Sequence, residues 1–372
     1  MGDKKMRMRK YGASPCIALA VVLSGALAAG CSSHTGAAAG SALPRLQETN
    51  ITVAAIPAND LAGLYIAQDD GLFAKQGLHV TIEKIASSQA VIAEQLEGRV
   101  DISAGSYVAY IAAQAAGARF RILAEASTLK PGARMLVVTG ASHITSLAGL
   151  AGKQIAVNGT NSIGTLLVSA LLAENEISPA KVRFITDPAG FPAMPRQLQT
   201  GGWGAAFLAE PYVTIAEQGY GDQELADLDQ GATENFPIDG YVATQAWAEQ
   251  HPKATAAFER AIQEGQVIAD TDRKAVQTAI GESDDLTPVV TAVMALPGFP
   301  TGPVNGQIIQ RVAELMLEFG VLGRQYRAEV EQGTLTRSMI SGEAGPASLP
   351  PRRSASGGVL RSPALSPDNV PR

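Results

Sequence analysis

Cysteine is nearly absent from this chain: the 372 residues contain two, Cys16 and Cys31, both close to the N-terminus. The remainder therefore has no disulfide, no thiol nucleophile and no thiolate metal site. Aromatic residues make up only 5%, too few for a platform on which successive bases stack. Positive charge is also short, with 29 Lys and Arg against 35 Asp and Glu and a formal net charge of -6. Nucleic acid demands dense cationic surface to displace counterions, so no nucleic-acid partner is expected. The four histidines, His34, His79, His143 and His251, are too scattered to suggest a metal cluster. No metal or cofactor is expected. A G-x-x-x-x-G-K-S/T run is missing as well, so the sequence has no phosphate loop of its own. What is present, 46% hydrophobic and 17% charged residues, is an ordinary globular composition with length enough for two lobes.

The first residues carry a more specific signal. Lys4, Lys5, Arg7, Arg9 and Lys10 precede the apolar stretch "SPCIALAVVLSGALAAG", which suits a signal-peptide core and is short for a membrane span. The core closes on Leu27-Ala28-Ala29-Gly30-Cys31. This resembles a bacterial lipobox, and the resemblance implies that residues 1–30 are removed and Cys31 is lipidated, with palmitate among its acyl chains. The plainer alternative is a secretory signal that happens to end near a cysteine. Acylation would tether the protein without making it span the bilayer. Residues 31–49 read as a flexible, small-residue leash. Residues 341–372, rich in Pro, Gly, Ser and Arg, read as a disordered tail without a discernible function.

Between these ends, short β-branched runs alternate with longer Ala/Leu-rich stretches. Strands are expected at 51–56, 79–85, 100–103, 120–125, 135–139, 154–157, 182–185, 205–208 and 241–244. The alternation predicts an α/β fold of mixed, mainly parallel sheet with flanking helices. A weak internal repeat adds to this. "EQLEGRVDISAGSYV" (94–108) and "RQLQTGGWGAAFLAEPYV" (196–213) share one plan: a helix ending in Gln-Leu, a glycine stop, a short apolar strand and a loop into Tyr-Val. Two copies about a hundred residues apart suggest two lobes built alike. The glycines suit helix ends, where a left-handed conformation is required.

The stretch "ITVAAIPANDLAGLYIAQDDGLFAKQGLHVTIEKI" reads as strand, helix, short turn and strand, with Asn59 or Asp60 as helix cap and Leu72 and Phe73 packed inward. Together with "SSQAVIAEQLEGRVDISAGS", "GKQIAVNGTNSIGTLL", "GGWGAAFLAEPYVTIAEQG" and "GYVATQAWAEQHPKATAAFERA", in this order over roughly residues 50–325, it resembles the substrate-binding proteins of nitrate/sulfonate/taurine and thiamine-precursor ABC importers. The resemblance implies a type II periplasmic-binding-protein fold, two α/β lobes joined by two crossover strands. Lobe 1 would comprise 50–138 plus 240–325, and lobe 2 would comprise 139–239.

Ligands of open α/β sheets sit beyond the carboxyl ends of strands, where loops enter helices. The sequence places small polar residues at such points: Asn59, Asp60, Ser87, Ser88, Ser106, Asn158, Thr160, Asn161 and Ser162. Helix starts with unpaired N–H groups hold an anion or carbonyl oxygens without any Arg or Lys, although each residue alone is equally well an N-cap. Glu210 of "AEPY" is the sharpest single candidate. It either accepts hydrogen bonds from a ligand or fixes the crossover backbone, and the second reading is favoured. Tyr65, Tyr107 and Tyr212 either stack on a planar ligand or pack the core. Trp203 is expected in the core. A sulfonate would favour an arginine in the cleft, yet none directly follows a cleft-facing strand end, and Arg196 suits a solvated helix face. Gly204 and Leu61 stand where relatives often carry Asp and His.

The reading is therefore a lipid-anchored binding protein, not an enzyme, on the extracytoplasmic face of a bacterial membrane. Its partners would be a small-molecule solute (a thiamine-precursor-like pyrimidine, sulfonate, nitrate or related compound) and an ABC permease with its ATPase. The protein itself would be monomeric. Two alternatives share the scaffold: a solute sensor serving a signalling partner, and an enzyme like the fungal pyrimidine synthases. The resemblance implies an iron-binding cysteine cluster and a cofactor lysine for the latter, and the chain has no cysteine beyond Cys31.

Overall fold

Two five-stranded sheets emerge from this alternation in a computed structural model that describes residues 46, 48–159 and 161–341. The signal segment, Cys31, Thr160 and the tail beyond 341 lie outside the described residues. The strands are β1 (Asn50–Ala55), β2 (His79–Lys84), β3 (Ile102–Ser106), β4 (Phe120–Thr128), β5 (Arg134–Val138), β6 (Gln154–Val157), β7 (Arg183–Thr186), β8 (Ala205–Ala209), β9 (Gln223–Asp227) and β10 (Pro237–Thr244). The first sheet has the order β2-β1-β3-β10-β4 and the second β7-β6-β8-β5-β9. The two repeat segments supply β3 and β8, the middle strands of the two sheets.

Each sheet contains one strand running against the other four. β10 is antiparallel to both β3 and β4, and β5 is antiparallel to both β8 and β9. The remaining pairs, β1 with β2 and β3 and β6 with β7 and β8, are parallel. Both opposed strands are the ones that have just crossed from the other lobe. A chain leaving the carboxyl edge of one sheet enters its neighbour from the facing edge, so it must run backwards through it.

Three sequence expectations need correcting. β5 was expected within lobe 1, but it pairs only in the second sheet, and Pro237–Asp239, expected in lobe 2, belong to the first. The chain turns at Pro131-Gly132, where Gly132 has φ +78°, and the apolar run after it conceals the lobe change. β9 was not expected at all. Its sequence, Gln-Glu-Leu-Ala-Asp, has no β-branched run, because it is an edge strand with its first two residues exposed. Lobe 1 also continues past 325. The helix Thr334–Ser341 packs on β4 with Leu335 and Met339 buried.

Leu72 and Phe73 are buried as expected, with the Phe73 ring stacked on Phe258 at 5.3 Å. The helices Ala62–Asp69 and Pro252–Thr271 touch at two glycines. A Cβ on Gly265 would lie 2.2 Å from the Gly63 carbonyl oxygen, a backbone atom with no room to move. Gly265→Ala should therefore destabilise the protein by about 1–3 kcal/mol through overpacking. Gly219→Ala, in open space on the helix Tyr212–Tyr220, should instead raise the melting temperature slightly, since alanine is favoured over glycine in helices by ~1 kcal/mol. Thermal melts of the two variants check both signs.

Candidate functional site

The carboxyl edges of the parallel strands in the two sheets face one another. The turn after β2 meets the loops after β6 and β7: a Cβ on Gly159 would lie 2.6 Å from Gln89 Oε1, and one on Gly190 2.6 Å from the Ala86 carbonyl oxygen. Small side chains line the lobe 1 side. Ser87 caps the helix Ser88–Leu96, its Oγ accepting from Ala90 N at 3.2 Å. Ser88 Oγ accepts from Ser106 N at 3.0 Å, and Ser106 Oγ accepts from Val108 N at 3.2 Å. From the lobe 2 side come Asn158 and Ser162. Both are buried, and Asn158 Oδ1 and Ser162 Oγ have no hydrogen-bond partner. Ser162 heads the helix Ile163–Glu174 without capping it. Asn161 is exposed with φ +48°, and Thr160 lies outside the described residues.

Asn59 and Asp60 do not cap a helix as expected. They form a 3-10 turn with Leu61, and no side chain caps the helix that follows. Their side chains are used between segments instead. Asn59 Nδ2 donates to the Ala295 carbonyl at 2.8 Å, and its backbone N–H donates to the Glu210 carbonyl at 3.2 Å. Asn59 Oδ1 has no partner. Asp60 Oδ2 accepts from Arg134 Nη2 at 2.6 Å and Asp60 Oδ1 from Ser127 Oγ at 2.8 Å. Glu210 follows the favoured reading: its carboxylate accepts from Thr214 N at 3.1 Å, Thr214 Oγ1 at 2.8 Å and Ala295 N at 3.0 Å. Burial raises its pKa and these donors oppose the rise.

Sequence reasoning missed two charged residues here. Arg134 is 1% exposed and Asp239 fully buried. They escaped notice because they lie at the starts of their strands, Arg134 first in β5 and Asp239 third in β10, and not in the loops that follow strand ends. β5 and β10 run antiparallel to their neighbours, so their opening residues come to the carboxyl edge. Arg134 lies opposite Ala209, and Asp239 opposite Ser106 and Ser127. The expectation that no arginine enters the cleft thus fails, although Arg196 is exposed on a helix face as expected. Arg134 Nη2 lies 3.8 Å from Asp239 Oδ2, and its guanidinium carbon lies 5.8 Å from the centroid of the Phe191 ring.

Aromatic rings extend the lining. Phe191 stacks on Tyr212 with centroids 6.1 Å apart, and Lys84 Nζ lies 5.6 Å from the Tyr65 centroid while pairing with Asp284 at 2.5 Å. Burial, then the Asp284 charge, raises the hydroxyl pKa of both Tyr65 and Tyr212. Tyr107 is buried beneath Gly240, and Trp203 is only partly buried against the core. Among the described residues, no group of three or more His, Cys, Asp or Glu is arranged to hold a metal, and no helix is long and apolar enough to cross a membrane.

Two facing lobes crossed twice by one chain, with a polar lining between them, define the type II periplasmic-binding-protein fold. Solved structures agree. The alkanesulfonate-binding protein SsuA from Xanthomonas axonopodis pv. citri aligns with TM-score 0.63 at 16% identity, over 75% of this chain and 96% of that one. The nitrate-binding protein NrtA from Synechocystis PCC 6803 aligns with TM-score 0.65 at 16% identity, over 82% and 91%. The aliphatic sulphonate binding protein SsuA from Escherichia coli aligns with TM-score 0.60 at 19% identity, over 74% and 94%. No curated protein sequence matches. The family model "NMT1/THI5 like" matches residues 58–272, more than half of the chain, and the protein belongs to that family.

Glu210 thus braces the turn at Asn59, the helix start at Thr214 and the backbone at Ala295. Glu210→Ala would strand buried donors and should cost about 2–4 kcal/mol in urea unfolding, with Glu210→Gln losing less. Burial and the Asp60 charge raise the Asp239 pKa. A carboxyl with a raised folded pKa contributes stability fully below its unfolded value near ~3.9 and loses it as pH climbs through the folded value. Asp239→Asn has no proton to lose. It should therefore gain stability relative to wild type as pH rises from 4 to 8, which paired thermal melts across that range would reveal.

Proposed function

We propose that this protein is a lipid-anchored, extracytoplasmic solute-binding protein of an ABC importer, which closes its two lobes on one small molecule and delivers it to a permease driven by an ATPase. The observation that carries this reading is the lining between the lobes. Buried polar atoms from both sides, Asn59 Oδ1, Asn158 Oδ1, Ser162 Oγ, Arg134 Nε and the Asp239 carboxylate, have no hydrogen-bond partner. Buried polar groups in folded proteins are nearly always hydrogen-bonded, so five such residues bordering one cleft suit a site completed by a ligand. Family membership and the printed names of the structural neighbours, an alkanesulfonate binder and a nitrate binder among them, agree with a receptor for a small solute. Compounds in that range, thiamine-precursor-like pyrimidines included, form the candidate set.

Ser88, Ser106 and Asn158 would contribute polar groups to the ligand, while Ser87 and Glu210 hold the loops that carry them. Lobe 1 is best taken as β1–β4 and β10 with the helices after them, and lobe 2 as β5–β9. One chain supplies the whole cleft, which suits a monomer. The anchor rests on the lipobox-like ending at Cys31. One acyl chain binds membranes only reversibly, and stable anchoring needs a second.

Closure brings Gly190 against the Ala86 carbonyl, and no side chain larger than hydrogen fits there. Gly190→Ala should therefore disfavour the closed state, beyond the strain that a side chain meets at φ +68° in any state. The apparent affinity falls with the population of that state, so isothermal titration with any solute found by thermal-shift screening should show a loss of about tenfold or more. The unliganded protein should still fold. A saturating solute at about 100 times its Kd should stabilise wild type by ~2.7 kcal/mol. Cys31→Ser in a bacterial host should move the protein from the membrane to the soluble fraction. Unchanged membrane retention would argue against the anchor.

A further inference from the structure

The interlobe site holds more carboxyl groups than cations, Asp60, Asp239 and Asp284 against Arg134 and Lys84, and the surplus sits at one residue. Asp239 is fully buried, and neither carboxylate oxygen has a hydrogen-bond partner. Arg134 is the nearest cation, but its Nη2 is held by Asp60 at 2.6 Å and stands 3.8 Å from Asp239. The second cation nearby, Lys84, is paired with Asp284, whose Oδ2 is itself without a partner. Arg134 Nε is also without a hydrogen-bond partner, but that cation's charge is already shared between Asp60 and Asp239. A sulfonate or nitrate arriving there would share one arginine with two carboxyl groups, in a desolvated setting where repulsion from an ionised carboxylate is strongest.

We propose that Asp239 selects the solute by accepting N–H bonds from a cationic nitrogen group on it, an ammonium, amidinium or guanidinium; this rests on the solute-binding reading above. The placement supports it. Asp239 lies at the carboxyl edge of the first sheet, in register with Ser106 and Ser127 on its two neighbouring strands. Asp60, Arg134 and the Phe191 ring continue from it into the second lobe. A carboxylate with two open oxygens matches a pair of N–H donors in one plane. The surrounding groups also determine what happens to the proton. Asp60 faces Asp239 from the turn after β1 and Arg134 from β5. Burial pushes the hydroxyls of Tyr107, Tyr110 and Tyr241 far up, so they stay un-ionised. Burial, then the Asp60 charge, raises the Asp239 pKa, and the Arg134 charge opposes the rise. A cation bound against the carboxylate favours its ionised form, so binding releases to solvent the proton the carboxyl holds.

The test is a thermal-shift screen of the full chain against a metabolite library sorted by charge: amines, amidines and guanidines, neutral amides, carboxylates, sulfonates and nitrate. Hits should fall in the cationic class. Titration calorimetry of the best hit in buffers of different ionisation enthalpy should register proton release. Asp239→Asn should weaken that hit by about thirtyfold or more. An analogue of the hit without its nitrogen cation should bind wild type weaker by a similar factor, and this comparison stands even if the variant does not fold. Hits confined to anions, or a cationic hit that Asp239→Asn weakens by less than about threefold, overturn the role of Asp239 and leave the receptor assignment standing. A library without any hit overturns both.

Discussion

The ion pair between Arg134 and Asp60 fixes the geometry on which the rest of the molecule depends. One partner begins the first strand of the second lobe and the other lies in the turn after the first strand of the first lobe. Both are about 1% exposed, and Ser127 completes the Asp60 carboxylate. Such a pair is not in itself a reason for stability, because desolvating two charges offsets most of their attraction. Its contribution is positional: removing either partner would leave an unpaired charge in the interior, so the two lobes are held in one relation where the chain crosses between them.

The direction of that crossing shapes the site. A single-direction sheet would line the carboxyl edge only with residues that follow strands, here mostly small, with Asp60 and Glu210 among the charged ones and both held by protein partners. Two crossings reverse one strand in each sheet and bring the opening residues of β5 and β10 to the same edge. Arg134 and Asp239 reach the edge by this second route. Around it the construction is economical. Glu210 accepts from Thr214 and Ala295, and the Asn59 side chain bonds the Ala295 carbonyl. Segments remote in sequence are thereby held in register by one carboxylate and one amide.

Close approach between backbones is the other constraint on the lining. Gly190 and Gly159 bring lobe 2 against Ala86 and Gln89, and Gly105 brings β3 against Ser88, with the added Cβ only 2.9 Å from its Oγ. Side chains at Gly159 and Gly190 would hold the halves apart, and one at Gly105 would push β3 away from the helix Ser88–Leu96 within lobe 1.

Local pattern sufficed for much of this. Nine of the ten strands among the described residues follow from short apolar runs, most of them β-branched, between glycine and polar breaks, and the burial of Leu72 and Phe73 follows from their spacing in a short turn. The repeated Gln-Leu, glycine and apolar plan marked the two central strands. Ser87 and Ser106 are caps, as their places before helices required. β9 was illegible because an edge strand with one solvated side needs little apolar sequence. Asn59 and Asp60 resemble caps in sequence, yet their partners lie at Ala295, Ser127 and Arg134, 67 or more residues away. The sequence by itself therefore determined most of the elements and the two-sheet plan, which depend on neighbours close in the chain, while the points where one lobe gives way to the other were hidden. Only the tertiary structure decided strand direction, and with it the entry of Arg134 and Asp239 into the cleft, because polarity within a sheet is set by where the chain arrives from and leaves no mark on the strand's own residues.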